Sequence, residues 1–150
     1  MTNPPTASII NEALIGLARS FLQYVAESWP WVDVSHQSIE KQLQLLAARQ
    51  REDVSELVQL LIDRELPIDI GVFPTEYTDL HFISLVTLLD WLQIGQSRIS
   101  DRLAAAAQSL RESADEDALD LIEAIAGRQQ NLAASLRELQ QELEKITAES

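Results

Sequence analysis

Apolar residues recur along most of this chain at steps of three and four, which is the spacing of one face of an α-helix. The pattern predicts four long helices, which we name A, B, C and D. Helix A covers about 7–27, helix B runs from an N-cap at Ser35 to about 65, helix C runs from about 75 or 78 to 111, and helix D follows a capping box that starts at Ser113. Four long helices in one short chain predict an all-α helix bundle.

The stretch between helices B and C changes from helical spacing to alternation. Within residues 66–75, Ile68, Ile70 and Val72 would point to one side and the residues between them to the other. This alternation predicts an extended segment with one buried side. Ten extended residues span about 33 Å, which is enough to cross most of the bundle and to start helix C beside the start of helix B. We favour this crossover, and the alternative is a tight turn in a simple up-down-up-down bundle.

Length and composition narrow the class of protein. The 150 residues predict a single domain over 1–150, with flexible tails at 1–6 and 148–150. The 24 acidic and 11 basic side chains leave a net charge of −13, which argues against binding to nucleic acid or to an anionic membrane. Cysteine is absent, so disulfides, thiol catalysis and cysteine-bound metals are excluded. Neither a secretory signal nor a bilayer-spanning stretch is recognisable, so we expect a cytoplasmic protein.

The order of the predicted elements resembles that of the ferritin-like superfamily, with an A–B hairpin, an extended crossover and a C–D hairpin. Residues 71–81, which read Gly-Val-Phe-Pro-Thr-Glu-Tyr-Thr-Asp-Leu-His, also resemble a stretch in a group of uncharacterised bacterial ferritin-like proteins. The resemblance covers about 9–146 as architecture and only 71–81 as sequence. It implies a di-iron or di-manganese centre, held by one Glu from each of two helices and by a Glu-x-x-His pair from each of the other two.

The histidines do not supply the ligands that the resemblance implies. The chain has only His36 and His81, and neither belongs to a Glu-x-x-His pair. His36 and Glu40 share one face of the first turn of helix B. With the crossover, Glu76, Asp79 and His81 would approach them at the same end of the bundle. These five residues are the only candidates for a mononuclear metal site, and the competing interpretation gives both histidines purely structural roles.

Glutamines occupy the helix positions at which the family would place its ligand pairs. The apolar stripe of helix B continues onto Gln50 and then onto Asp53 or Val54, and that of helix D continues onto Gln129 and then onto Leu132 or Ala133. A neutral amide does not offset the charge of an iron ion, because hard cations prefer carboxylate oxygens. We therefore expect the di-metal centre to be lost. The two glutamines either bond to each other in a buried layer or reach solvent.

Motifs of other catalytic sites are also missing. The chain has no glycine-rich phosphate loop and no Gly-x-Ser-x-Gly motif, and two histidines leave no recognisable nucleophile–base pair. We therefore expect neither enzymatic activity nor a cofactor.

Two apolar regions are candidate interfaces. Helix C is apolar on nearly every side over residues 80–94, which predicts a homodimer that packs around Phe82, Val86 and Trp91. Trp29 and Trp31, at the A–B turn, either close the end of the core or bind a protein partner. The expected function is a homodimeric structural or interaction module with an unknown partner. The alternative is a ferritin-like metal-binding protein or oxidoreductase with atypical ligands.

Overall fold

The computed structural model describes residues 4–28, 34–80 and 84–149, and this part of the chain is all-helical. Its α-helices are α1 (Pro4–Ala18), α2 (Phe21–Glu27), α3 (Gln37–Asp63), α4 (Leu85–Glu112) and α5 (Glu116–Glu149). Short 3₁₀ turns lie at Val34–His36 and Thr75–Leu80. No β-strand occurs within the described ranges. The predicted all-α class is confirmed.

The buried side chains form two separate hydrophobic cores. The first core contains Phe21, Leu22, Val25, Ile39, Leu43, Leu46, Ala47, Leu88, Leu89, Leu92, Leu132, Leu136, Leu139 and Leu143. The second core contains Ile10, Ala13, Leu14, Leu17, Leu57, Leu61, Ile99, Leu103, Ala107, Leu110, Ala118, Ile122 and Ile125. Helices α3 and α4 both run from the first core to the second, whereas α5 and the α1–α2 pair run the other way. The chain between α3 and α4 therefore returns along the length of the protein.

This returning connection follows α1. The backbone N–H of Asp69 donates to Oδ1 of Asn11 at 3.0 Å, and Nε of Arg19 donates to the carbonyl oxygen of Gly71 at 3.0 Å. The guanidinium of Arg19 also lies 4.8 Å from the centre of the Phe73 ring. The connection thus advances along α1, from its middle to its end.

The predicted buried side of the connection is wrong. Ile68, Ile70 and Val72 are exposed, Val72 to 84%. The residue that approaches α1 is instead Gly71, whose φ of 72° suits glycine and whose missing Cβ would lie 3.0 Å from Cγ2 of Ile15. Hydrogen bonds made by the backbone of this connection determine which of its sides faces inward, and the alternation of apolar residues gives no information about such bonds.

Two predicted helices have different limits in the structure. Helix A is divided, because the Ser20 hydroxyl accepts a hydrogen bond from the backbone N–H of Gln23 and caps a new helix, α2. Helix C begins at Leu85 rather than at 75 or 78, since Thr75–Leu80 is a 3₁₀ turn. Ser84 caps this helix in the same manner.

The capping box predicted at Ser113 is also wrong. Ser113 ends α4, and Ala114 adopts a left-handed backbone with a φ of 57°. Asp115 caps α5 instead, because its Oδ1 accepts from the backbone N–H of Ala118 at 3.2 Å. The carboxylate of Asp115 also forms two hydrogen bonds with Arg64, at 2.7 and 2.9 Å.

The remaining differences lie at the starts of α1 and α3 and at the end of α5, which reaches Glu149 inside the predicted C-terminal tail. Helix α1 begins at Pro4, inside the predicted N-terminal tail, and Thr6 is buried. Helix α3 begins at Gln37 with His36 at its N-cap, without a side-chain hydrogen bond, so the predicted cap at Ser35 is wrong.

Candidate functional site

Two glutamines meet between the two cores. Gln50 and Gln129 are both 0% exposed, and Nε2 of Gln50 donates to Oε1 of Gln129 at 3.0 Å. Along α5, Gln129 follows Ile125 of the second core and precedes Leu132 of the first core. Of the two arrangements expected for these amides, the structure has the buried pair.

A third glutamine, Gln96 of α4, joins this pair. Its Nε2 donates to Oε1 of Gln129 at 2.9 Å and to the backbone oxygen of the same residue at 3.2 Å. Its Oε1 lies 3.5 Å from Nε2 of Gln50, at the limit of a hydrogen bond. Amides from α3, α4 and α5 are therefore linked at one height of the protein.

The break between α1 and α2 supplies the fourth side. The Ser20 hydroxyl donates to Oε1 of Gln50 at 2.7 Å, and Nε2 of Gln23 donates to the same oxygen at 3.0 Å. Gln23 also donates to the backbone oxygen of Ala47 at 2.9 Å and accepts from Arg51 at 3.1 Å. We call the set Ser20, Gln23, Gln50, Asp53, Gln96 and Gln129 the amide layer.

The only carboxylate of the amide layer is Asp53, which is 4% exposed. Its Oδ2 accepts from Nε2 of Gln129 at 2.6 Å, and its Oδ1 accepts from Nε of Arg128 at 2.7 Å. Arg128 also pairs with Glu56, one turn further along α3. Burial raises the pKa of the Asp53 carboxyl above its ordinary value, and the charge and hydrogen bond of Arg128 offset only part of this effect.

The amide layer does not fit a di-iron or di-manganese centre. The groups that could coordinate a metal ion are mainly neutral amides, and both carboxylate oxygens of Asp53 already accept hydrogen bonds. The neighbouring position, Leu132, contributes only hydrocarbon to the first core. Hard cations need several carboxylate or water oxygens, and iron sites in bundles also use imidazole. Within the described ranges, no group of three or more Asp, Glu or His side chains is placed to hold a metal ion.

The other candidate metal ligands are not gathered into a site. His36 and Glu40 are both partly exposed at the start of α3, and Glu76 is exposed in the 3₁₀ turn Thr75–Leu80. Asp79 belongs to the same turn, and His81 lies outside the described residues. His36, Glu40 and Glu76 therefore do not form a three-ligand group.

Of the candidate interface residues, Val86 and Trp91 are exposed on α4, together with Ile94. Phe82, Trp29 and Trp31 lie outside the described residues.

Three members of the amide layer were not predicted from the sequence, although each has a signal in it. Gln96 lies in the apolar stripe of α4, four residues after Leu92 and three before Ile99. Ser20 and Gln23 have the spacing of a capping box, Ser-x-x-Gln, which marks a helix start inside the predicted helix A.

Comparisons with known proteins add no family. No protein-family model matches this chain, and no curated protein matches it significantly. In the part of the chain that the structure describes, every helix is too short or too polar to cross a bilayer. The class that the structure defines is an all-helical protein with two hydrophobic cores and a buried polar layer between them.

Proposed function

We propose that this protein is a ferritin-like four-helix bundle without a di-metal centre, and that it acts through its surface as a non-catalytic structural or interaction module. The amide layer carries the proposal. It lies at mid-height and links α2, α3, α4 and α5 through hydrogen bonds, where the family would hold carboxylates, imidazoles and metal ions. A cytoplasmic location and an unidentified protein partner belong to the same proposal.

The directions of the helices support the ferritin-like part of the proposal. When α1 and α2 are taken as one bent helix, the described chain contains four long helical segments. Helices α3 and α4 run in the same direction, and the connection between them returns along α1. A simple up-down-up-down bundle would require α3 and α4 to be antiparallel. The long crossover between the second and third segments therefore favours the ferritin-like order.

Electrostatics at Asp53 support the non-catalytic part. In a di-metal centre, the positive charge that balances buried carboxylates comes from the ions. Here the guanidinium of Arg128 pairs with both Asp53 and Glu56 and supplies this positive charge from the chain itself. A guanidinium does not change oxidation state and has no open coordination position, so this arrangement provides no redox chemistry.

Metal loading tests the proposal. Metal-depleted full-length protein is dialysed anaerobically against Fe(II) or Mn(II), and the bound metal is counted by elemental analysis. We expect no stoichiometric binding. Two ions per chain that are lost in Asp53→Asn, but kept in the control Glu144→Gln at an exposed position of α5, would contradict the proposal. That result would support the alternative, a ferritin-like metal-binding protein or oxidoreductase with atypical ligands.

The exposed side of α4 supports the homodimer that we propose as the state in which the module acts. Val86, Trp91 and Ile94 are exposed apolar side chains on this one helix, and closed twofold dimers are the commonest oligomers. Sedimentation velocity should show a species of twice 16.8 kDa, and Ile94→Glu should return it to the monomer. The matched control is Ile62→Glu, because Ile62 is 52% exposed and Ile94 is 51% exposed. A wild-type protein of 16.8 kDa at all concentrations would contradict the dimer.

A further inference from the structure

A continuous groove runs between α1 and α4 on the outside of the protein. It consists of two adjoining cavities of about 470 and 520 Å³. Both cavities are lined by Ile15, Gly16, Ile99 and Arg102, so they adjoin at the Arg102 side chain. Of the amide layer only Ser20 lines the groove, and Asp53 does not, so the role of the groove does not depend on the absence of metal.

One end of the groove is apolar. Beyond the shared residues, this end is lined mainly by small or aliphatic side chains, including Ile9, Ala13, Ala105 and Ala106. Glu12 lies at the same end and is exposed. Small side chains on α1 and α4 leave room between the two helices, so this end offers a hydrocarbon surface that is open to a ligand.

The other end of the groove is cationic and aromatic. Arg19, Arg98 and Arg102 line it, against a single carboxylate, Glu76. Nη1 of Arg102 would lie 3.7 Å from a Cβ placed on Gly16, so this guanidinium reaches across the groove to α1. The groove therefore concentrates positive charge at one end, although the chain as a whole carries −13.

Two arginines of α4 line this end without a described carboxylate that neutralises them. Arg98 and Arg102 are four residues apart, a spacing at which like charges repel. Neither arginine forms an ion pair with Asp101, which follows Arg98 by three residues, or with any other described carboxylate. Both cations lower the pKa of Tyr77, which burial and Glu76 raise by a larger amount, so their field extends over the groove. An anion bound here would relieve the repulsion.

We propose that this groove binds a long-chain monocarboxylate of the fatty-acid type, with the carboxylate at Arg98 and Arg102 and the acyl chain along α1 and α4 toward Ala106. The segregation of charge along the groove matches a ligand with one anionic end and one apolar end. Along α4, Arg98 and Ser109, which lines the apolar end, are separated by about 16 Å, which accommodates an extended chain of about twelve carbons. The net charge of the protein is no barrier, because charges beyond about 8 Å are screened at physiological ionic strength.

Fluorescence of Trp91 tests the proposal in the full-length protein. Trp91 lines the cationic end, and its ring centre lies 6.5 Å from that of Phe21. Trp29 and Trp31 are first replaced by phenylalanine, so that Trp91 is the only tryptophan. Titration with monomeric dodecanoate should give a saturable change in emission. Acetate, which lacks the chain, and dodecyltrimethylammonium, which reverses the charge, should give none.

Variants at each end separate the two parts of the site. The double variant Arg98→Gln/Arg102→Gln should weaken dodecanoate binding by about tenfold or more, because charge-assisted hydrogen bonds to the carboxylate are lost. The double variant Arg49→Gln/Arg137→Gln makes the same change in net charge outside the groove and should keep the wild-type affinity. Ala105→Glu, at an exposed position, should weaken binding by placing a charge beside the acyl chain. Far-UV circular dichroism verifies that each variant is folded.

Five results would overturn the proposal. Three of them are the lack of any saturable signal with dodecanoate, equal binding of the cationic amphiphile, and unchanged affinity in Arg98→Gln/Arg102→Gln. The fourth is an affinity that falls as the dimer fraction rises in sedimentation, which would assign the groove to a second copy of the chain. Binding to vesicles of anionic phospholipid without binding to free dodecanoate would assign it to a membrane surface and counts against the proposal as well.

Discussion

Replacement of Gln129 by leucine is the sharpest test of the amide layer, because this side chain contacts three of its members. Its Oε1 accepts from Gln50 and Gln96, and its Nε2 donates to Asp53. In Gln129→Leu, Gln96 still donates to the backbone oxygen of residue 129. Nε2 of Gln50 keeps only the 3.5 Å contact with Gln96, and Oδ2 of Asp53 loses its donor.

The expected loss of stability follows from these two buried groups, the amide nitrogen of Gln50 and the carboxylate oxygen Oδ2 of Asp53, which lose Gln129 as their hydrogen-bond partner. A buried donor without a partner costs about 1–3 kcal/mol, and a buried carboxylate oxygen costs at least as much. The leucine side chain recovers about 1 kcal/mol through apolar burial. We therefore expect the free energy of unfolding of Gln129→Leu to fall by about 2–4 kcal/mol.

Urea unfolding at pH 7, followed by circular dichroism at one protein concentration, measures this loss by linear extrapolation. The control is Gln130→Leu, which makes the same chemical change at the next, exposed position of α5 and should change the free energy of unfolding by less than about 0.5 kcal/mol. A Gln129→Leu protein as stable as the wild type would refute the reasoning, because it would mean that the layer gains nothing from its central amide.

A combined variant distinguishes the cost of leaving buried polar groups without hydrogen-bond partners from the cost of removing the whole amide layer. When Gln50, Asp53, Gln96 and Gln129 are all replaced by leucine, few buried polar groups lose a partner, since most partners are removed together. Apolar replacement of a whole buried network is often neutral or stabilising. The quadruple variant should therefore lose less stability than the sum of the four single replacements, and a loss equal to that sum would contradict the coupling.

Three further predictions concern single residues. Burial raises the pKa of Asp53 in the native state, so the contribution of Asp53 to stability is complete below the ordinary value near 3.8 and is lost as pH rises through the native pKa. In urea titrations, the free energy of unfolding of Asp53→Asn minus that of the wild type should therefore increase with pH. A difference that does not change with pH would contradict this prediction. The hydrogen bonds from Arg64 hold the pKa of Asp115 below its ordinary value. The advantage of the wild type over Asp115→Asn should therefore be present above pH 3.8 and disappear as pH falls through the native pKa, and an advantage that persists in strong acid would argue against the pair. Gly71→Ala should cost about 1–2 kcal/mol in thermal or urea unfolding, because a Cβ at positive φ would also meet Ile15; an unchanged stability would show that the connection is free to move away from α1.

Part of the amide layer could be predicted from the sequence because the layer interrupts helical stripes. A polar residue at a helix position between buried leucines must face the core, and this reasoning identified Gln50, Asp53 and Gln129. The same reasoning applies to Gln96, which the sequence analysis overlooked. No stripe reaches Gln23, because the helix that carries it restarts at Ser20 and the phase of the apolar pattern changes there.

The side of the returning connection that faces inward could not be predicted in the same way. Its apolar alternation indicated Ile68 and Val72, but one hydrogen bond to Asn11 and one from Arg19 hold the opposite side against α1. Such bonds join residues more than fifty positions apart, and the alternation of a single segment contains no information about them.

The spacing of the helices and the inward position of Gln50, Asp53 and Gln129 were determined by the sequence alone, because they follow from the local period of the α-helix. Only the tertiary structure decided which amides meet, where the first helix breaks, and that Arg19 lies in one groove with Arg98 and Arg102. These features depend on the relative placement of helices that are distant in the chain. That placement is set by the packing of all the helices together, and no segment encodes it by itself.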